Sequence, residues 1–385
     1  MKGKVLRTIK LLSLVLALAL SVGLLQEYVL CHADHNRQRV KGFFDEDKNS
    51  LDVVILGASE VYSDFAPGFA YEHSGITSYL YATQANTVLN YKAQLKNILS
   101  TQKPDLIVIE LNGALYGDEE LEEVTREANL RNYADNAPLD LTKLEWIKDN
   151  ALGNWQEYLF PIMKYHGVWS DFPSNMLYQK TIIENHTRGH NYLKGILNET
   201  AVYKSVRSSM NPYLADSADG KQPLDGLSEE RLRDLLQFCR DEKLGNVVFA
   251  RFPHVVDGLT YNRFERSNMA GDIVREYGFD YLNFEVGFAQ TGLDETTDFY
   301  NQDHLNVYGQ KKFTAYLTDY LMKNYGVKAE ELSGGKKDEW QKSADYYEAY
   351  YTYSDSLIKL GVRRELSEDS DLIDTLEKFL PENAA

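Results

Sequence analysis

Cysteine is scarce: Cys31 and Cys239 are the two in 385 residues. Two are too few for a disulfide framework, and their settings, beside an apolar segment and within a helical pattern, predict no bridge. Basic charge is also short. The chain has 41 Lys and Arg against 58 Asp and Glu, a net charge of −17, which argues against nucleic acid because a phosphate-binding surface needs a basic patch. Bulk attraction to an anionic polymer is excluded on the same ground. Metal-ligand spacing is incomplete: His186 and His190 stand i,i+4 apart, but Arg188 and Gly189 lie between them and no third ligand is evident. With His166 they read as surface or packing histidines, and neither a metal nor a cofactor is expected.

What the chain does have begins with a basic flank and an apolar run. Lys2, Lys4, Arg7 and Lys10 precede Leu11 to Leu25, extended by Tyr28, Val29 and Leu30, a pattern that means export with the N-terminus inside. About twenty apolar residues are enough to cross a bilayer. Residues 1–33 therefore read as an uncleaved signal anchor, or as a signal peptide if Cys31-His32-Ala33 serves as a small-x-small cleavage site. Val29-Leu30 lacks the small residue expected before a lipidated cysteine. In either reading the remainder lies outside the cytoplasm, membrane-attached or secreted. Residues 34–50 are polar and charged and read as a linker.

The domain starts at Leu51. Leu51, Val53, Val54, Ile55 and Leu56 form an aliphatic run suited to a strand buried on both faces. It stops at Gly57-Ala58-Ser59, which places a hydroxyl where strand hands over to helix and where ligands collect in open α/β sheets. Taken alone, Ser59 reads equally as a helix cap. Further strands are predicted at 76–82, 105–111, 246–252 and 280–284, with helices at 87–101, from Ser228 to Gly245, at 263–277 and at 310–325. This βαβα alternation implies an α/β fold with a parallel sheet and helices on both faces, over residues 51–335. Residues 113–225 are aromatic-rich with few apolar runs and predict a helical and looped insertion covering the strand ends. Within it, Asn185-His186-Thr187 and Asn198-Glu199-Thr200 match glycosylation sequons. Residues 336–385 are an acidic, tyrosine-rich extension whose Tyr346, Tyr347, Tyr350, Tyr351 and Tyr353 predict a helix packed on the domain.

A second polar block adds weight to Ser59. Asp298–Gly309 (DFYNQDHLNVYG) sets His304 among Asn301, Gln302, Asp303 and Asn306, just ahead of an amphipathic stretch. A serine near one strand end and a late histidine near another is a chain order in which α/β sheets assemble a nucleophile and its base. The GAS at 57–59, the strand DLIVIELN at 105–112 and the DFYNQDHLNxxG block together resemble the SGNH (GDSL-like) hydrolase superfamily over roughly residues 50–325. More narrowly, they resemble its membrane-anchored bacterial acyltransferase-like branch, whose members often work with a membrane-bound O-acyltransferase on cell-envelope polymers.

The resemblance implies a three-layer, flavodoxin-like parallel sheet, Ser59 as nucleophile and His304 as general base. It also implies an oxyanion site formed by Ser59, by the backbone N–H at Asn86 and by Asn112. The chain departs from the family pattern at Asn301, where an Asp is usual; Asn301, Asp303 or Asp298 would orient the imidazole, or Ser59 and His304 act as a dyad. Glu110, a carboxylate closing an apolar strand, either orients a site residue or emerges into solvent. Tyr165-His166-Gly167-Val168-Trp169 is similar to a family element and implies a cleft role for His166 and Trp169. The expected activity is extracytoplasmic acyl transfer to, or ester hydrolysis on, a cell-envelope glycan or similar polymer through a Ser59 acyl-enzyme. The alternatives are a free-standing carbohydrate esterase and a catalytically impaired scaffold assisting a membrane O-acyltransferase.

Overall fold

The computed structural model describes residues 2–117, 123–151, 153–188, 191–203, 215, 217–258 and 260–380. Its strands are β1 (Val53–Gly57), β2 (Ser78–Ala82), β3 (Leu106–Glu110), β4 (Leu197–Glu199), β5 (Val247–Arg251), β6 (Tyr281–Asn283) and β7 (Glu365–Ser367). Five of them form a parallel sheet in the order β2-β1-β3-β5-β6, while β4 and β7 pair antiparallel outside it. The order reverses at β1. The crevice beyond the carboxyl ends of β1 and β3 is therefore the switch point at which open α/β sheets take ligands.

Alternation along each strand divides the core in two. Val53, Ile55, Leu80 and Val108 face one layer, with Val61, Phe65, Phe313, Leu317 and Tyr347. Val54, Leu56, Tyr81 and Ile109 face the other, with Phe43, Tyr91, Leu95, Leu235 and Ile273. Every residue of β1, β2, β3 and β5 is buried, so their near-continuous apolar runs follow from having helices on both sides. At the end of β1 a side chain in place of Gly57 would lie 2.6 Å from Val61 Cγ2 and 2.9 Å from Glu110 Cβ. Glycine is what lets the chain turn from strand into the helix Ser59–Asp64 there.

Three expectations change. Residues 34–50 are not a slack linker: they form the helix His35–Asp45, with Asn36, Arg37, Gln38, Arg39, Val40 and Phe43 buried. Its polar residues look solvent-directed in sequence but are consumed by tertiary bonds, such as Arg39 Nε to the Ala82 carbonyl at 3.1 Å and Gln84 N–H to Asn36 Oδ1 at 2.8 Å. The helix from Gly226 to Asp241 is capped by Asp225, whose carboxylate accepts from the Leu227 and Ser228 N–H groups, and not by Ser228. The described helices of the insertion, Glu123–Ala134, Leu141–Asn150 and Phe172–Arg188, pack beside His35–Asp45 and Val88–Thr101 and do not roof the strand ends. The stretch near β4 does approach that edge. There Asn198, 2% exposed, donates to the Ser63 and Leu305 carbonyls, each at 3.0 Å, so its sequon is sealed in the fold.

The tyrosine-rich extension forms the helix Gly335–Lys359, which packs against Pro67–Ser74 and buries Tyr346, Tyr347 and Tyr350. At the other end of the chain, the helix Gly3–Tyr28 contains an 18-residue window of mean hydropathy 2.2 and is long and apolar enough to cross a membrane. Cys31 and Cys239 are both buried and unpaired.

Candidate functional site

Ser59 opens the short helix leaving β1, at the carboxyl edge of the sheet. The same helix is tied to the distant polar block. Asp64 Oδ1 accepts from the Leu305 N–H at 2.9 Å, Ser63 Oγ and the Tyr300 hydroxyl share a bond of 3.2 Å, and Gln310 Nε2 donates to the Ser63 carbonyl at 2.9 Å. Residues 237 or more positions apart in sequence are thereby fixed on one edge. At Gly309 a side chain would collide with the Asp298 carbonyl, so the closing glycine of the block is a close-approach position.

The state of His304 follows from hydrogen-bond bookkeeping. Asn301 Oδ1 accepts from the Asp303 N–H and lies 2.9 Å from His304 Nδ1. An oxygen already receiving a backbone N–H presents an acceptor to the ring, so Nδ1 carries the proton and Nε2 carries the lone pair. Nε2 is buried and has no hydrogen-bond partner among the described residues. Burial pushes the His304 pKa below the usual histidine value, against the opposing pull of the Glu60 and Asp303 charges. Tyr300 stacks on the ring at a centroid distance of 5.2 Å and an interplanar angle of 4°. The result is a held, proton-accepting imidazole.

Asn301 is therefore the residue that orients His304. Asp303 faces Arg263, with Nη1 at 3.3 Å from Oδ1. Asp298 is engaged by Lys312 at 2.7 Å and by the Asp294 N–H. The expectation that Asp303 could be the orienter is not met: its carboxylate is adjacent to the imidazole in sequence but directed to a guanidinium.

Ser59 Oγ lies 3.5 Å from Glu60 Oε2 and makes no hydrogen bond to His304. Catalytic contacts commonly tighten only when substrate is bound. The Asn86 side chain is fully occupied, donating to the Gly57 carbonyl at 2.9 Å and Gln94 Oε1 at 2.8 Å and accepting from Asn90. It can serve an oxyanion only through its backbone N–H. The preceding Ala85 has φ 46°, a left-handed conformation that costs an alanine about 1–2 kcal/mol and sets the direction of that peptide. In Asn112, Oδ1 accepts from Arg251 Nη1 at 2.8 Å, which leaves Nδ2 with only a 3.5 Å contact to the Tyr116 hydroxyl.

Sequence reasoning missed the charge cluster beneath these groups. Arg251 ends β5 and donates through Nε to Glu285 at 2.9 Å, with Glu110 at 3.4 Å. His254 stands 3.5 Å from Glu60 and 3.4 Å from Glu285, and its Nδ1 donates to the Phe252 carbonyl at 2.8 Å. All five side chains are at most 1% exposed. Burial alone would raise the Glu60 carboxyl, but the His254 hydrogen bond and the His304, His254 and Arg251 charges hold it below the usual range. Glu110 is pushed above that range by burial and by the Glu60 charge. The surroundings thus favour the ionised form at Glu60, beside Ser59, and disfavour it at Glu110. The available signal was a charged residue closing each of three apolar strand patterns: Glu110, Arg251 and Glu285.

Other candidates lie elsewhere. Tyr165 bonds Asp135 at 2.6 Å and stacks on His32, and His166 is exposed over the Met163 carbonyl. That segment sits at the base of the N-terminal helix, so the cleft role expected of His166 is not met; the Trp169 side chain lies outside the described residues. His186 pairs with Asp45 at 2.8 Å, and His190 lies outside the described residues. Two cavities of about 280 and 290 Å³ are lined by Lys92, Lys96, Glu145 and Arg231, and by His32, Asp34, Arg131 and Tyr165; neither includes Ser59. Compared with known proteins, the chain matches no family model and no curated sequence.

Proposed function

We propose that the chain is an extracytoplasmic, serine-dependent acyl-transfer or ester-cleaving enzyme of SGNH-like type, acting on a cell-envelope glycan or similar polymer. The observation that carries this reading is the lone pair of His304 Nε2, buried and unpartnered among the described residues, on a loop tied to the helix that presents Ser59. In the first half-reaction Ser59 Oγ bonds to the acyl carbon, and its proton passes to Nε2. The bond from acyl carbon to leaving oxygen then breaks, and that oxygen takes the proton. In the second half an acceptor hydroxyl or water attacks the acyl carbon and gives its proton to Nε2; the bond from acyl carbon to Ser59 Oγ then breaks, and Oγ takes that proton back. Negative charge on the tetrahedral oxygen would be met by the Ser59 and Asn86 backbone N–H groups and by Asn112 Nδ2, each donor worth ~3 kcal/mol in such sites. Glu60 supplies the carboxylate that the Asn301 position lacks, acting through space on the imidazolium.

A second reading has its own observation: Ser59 is hydrogen-bonded toward Glu60 and not His304, as in a scaffold that retains the fold and assists a membrane O-acyltransferase. Turnover of p-nitrophenyl acetate by the detergent-solubilised full chain, with and without an oligosaccharide acceptor, separates the cases. Acceptor-stimulated release means transferase, acceptor-independent release means esterase, and inertness matching that of Ser59→Ala in a folded protein favours the scaffold.

A further inference from the structure

The N-terminal helix is not joined to the domain by a free tether. Near its end, Glu27 accepts from Arg37 Nη2 through its carboxylate at 2.7 Å and its carbonyl at 2.8 Å, and pairs with Lys41 at 2.9 Å. Gln179 Nε2 donates to the same carbonyl at 3.1 Å, the Ile162 N–H to Gln26 Oε1 at 3.5 Å, and Asn175 Nδ2 to the Cys31 carbonyl at 3.0 Å. Residues 26–31 are gripped from three directions: the helix His35–Asp45, the turn before Ile162, and the helix Phe172–Arg188.

Large apolar side chains are exposed around this junction. Leu25 and Tyr28 are 41% and 43% exposed, Phe160 and Met163 are 46% and 51%, and Met176 is 40%. Phe160 and Met163 flank the residue bonded to Gln26, and Met176 follows the residue bonded to Cys31. Their exposure would be unfavourable in water. Leu25 and Tyr28 belong to the helix whose apolar window is unburied by protein, Phe160, Met163 and Met176 lie beside residues bonded to its end, and aromatic and methionine side chains at the end of a membrane helix suit the boundary between head groups and acyl chains.

We propose that Leu25, Tyr28, Phe160, Met163 and Met176 form a lipid-facing collar that seats the domain on the membrane surface. The proposal rests on Lys2–Tyr28 being a membrane span. Its consequence is that the height and tilt of the domain over the bilayer are set by the fold, so that the site addresses substrate at a fixed distance from the lipid. The test uses the full chain reconstituted in phosphatidylcholine vesicles with and without brominated acyl chains. Indole emission is compared for wild type, Phe160→Trp and, as a reporter of insertion, Leu16→Trp; Met163→Trp replaces Phe160→Trp if the latter misfolds. Loss of the added emission in brominated vesicles for both reporters supports the collar. Loss for Leu16→Trp alone overturns it, because the collar then faces water or protein. Loss for neither overturns the span and the collar with it.

Discussion

His254 and His304 stand at the same carboxyl edge of the sheet and are prepared for different work. His254 is 1% exposed and both its ring nitrogens face acceptors: the Phe252 carbonyl and Glu285 at Nδ1, Glu60 at Nε2. His304 has one nitrogen fixed by a neutral amide and the other buried without a partner among the described residues. A side chain whose bonds are all made contributes to holding its neighbours; one that keeps a buried lone pair open is poised to receive a proton, at a cost the fold carries. On the proposed reading, His254 positions Glu60 and His304 transfers the proton.

The sharpest way to break this contrast is to remove the reacting groups. Ser59→Ala and His304→Ala are each expected to lower ester turnover on the order of 10⁴- to 10⁶-fold, as for other serine nucleophiles and their bases, with melting temperature little changed. His254→Phe should do the reverse of His304→Ala in stability. It strips a partner from the buried Glu60 and Glu285 carboxylates and should cost roughly 3–5 kcal/mol in denaturant unfolding. If both histidine variants melt alike, the division of roles is wrong.

Glu60→Gln tests the through-space carboxylate. It is expected to slow turnover about 10²-fold, within the range of acid–base contributions. Because Glu60 raises the His304 pKa, its loss should also move the acid limb of the pH–rate profile further down; a purely structural role would leave that limb in place. Asn301→Asp places a carboxylate against Nδ1 and should raise the acid limb. Asn301→Ala deletes one hydrogen bond of about 1 kcal/mol and should lower the rate only several-fold.

The smallest effect concerns stability against pH. Glu110 has its folded pKa raised, so its contribution is complete below the unfolded value near ~4.3 and is lost as pH climbs toward the raised folded value. Glu110→Gln should flatten that part of the stability curve, read from chemical denaturation at a series of pH values.

Much of this edge was legible before any coordinates. The strand patterns lie within two residues of β1, β2, β3, β5 and β6 because continuous aliphatic runs have few other solutions in a doubly covered sheet. Ser59, Asn112 and His304 stand at strand ends or in a polar block ahead of a helix, and their residue types suggest the chemistry proposed above. Three-dimensional closure was not legible. Nothing local distinguishes Asp303 turned to Arg263 from Asp303 turned to His304, and Arg37 and Arg39 read as surface until their partners at Glu27 and Ala82 are seen. The charged pairs linking Arg251 to Glu110 and Glu285 cross between strands and loops far apart in the chain, so only the sheet order brings them together.

The most direct test of the central claim is rapid-quench intact-mass and peptide analysis of the full chain mixed with p-nitrophenyl acetate. The account predicts one added acetyl group on the peptide containing Ser59, absent in Ser59→Ala and formed far more slowly in His304→Ala. Acetylation at another residue, or equal labelling of wild type and both variants, would contradict it.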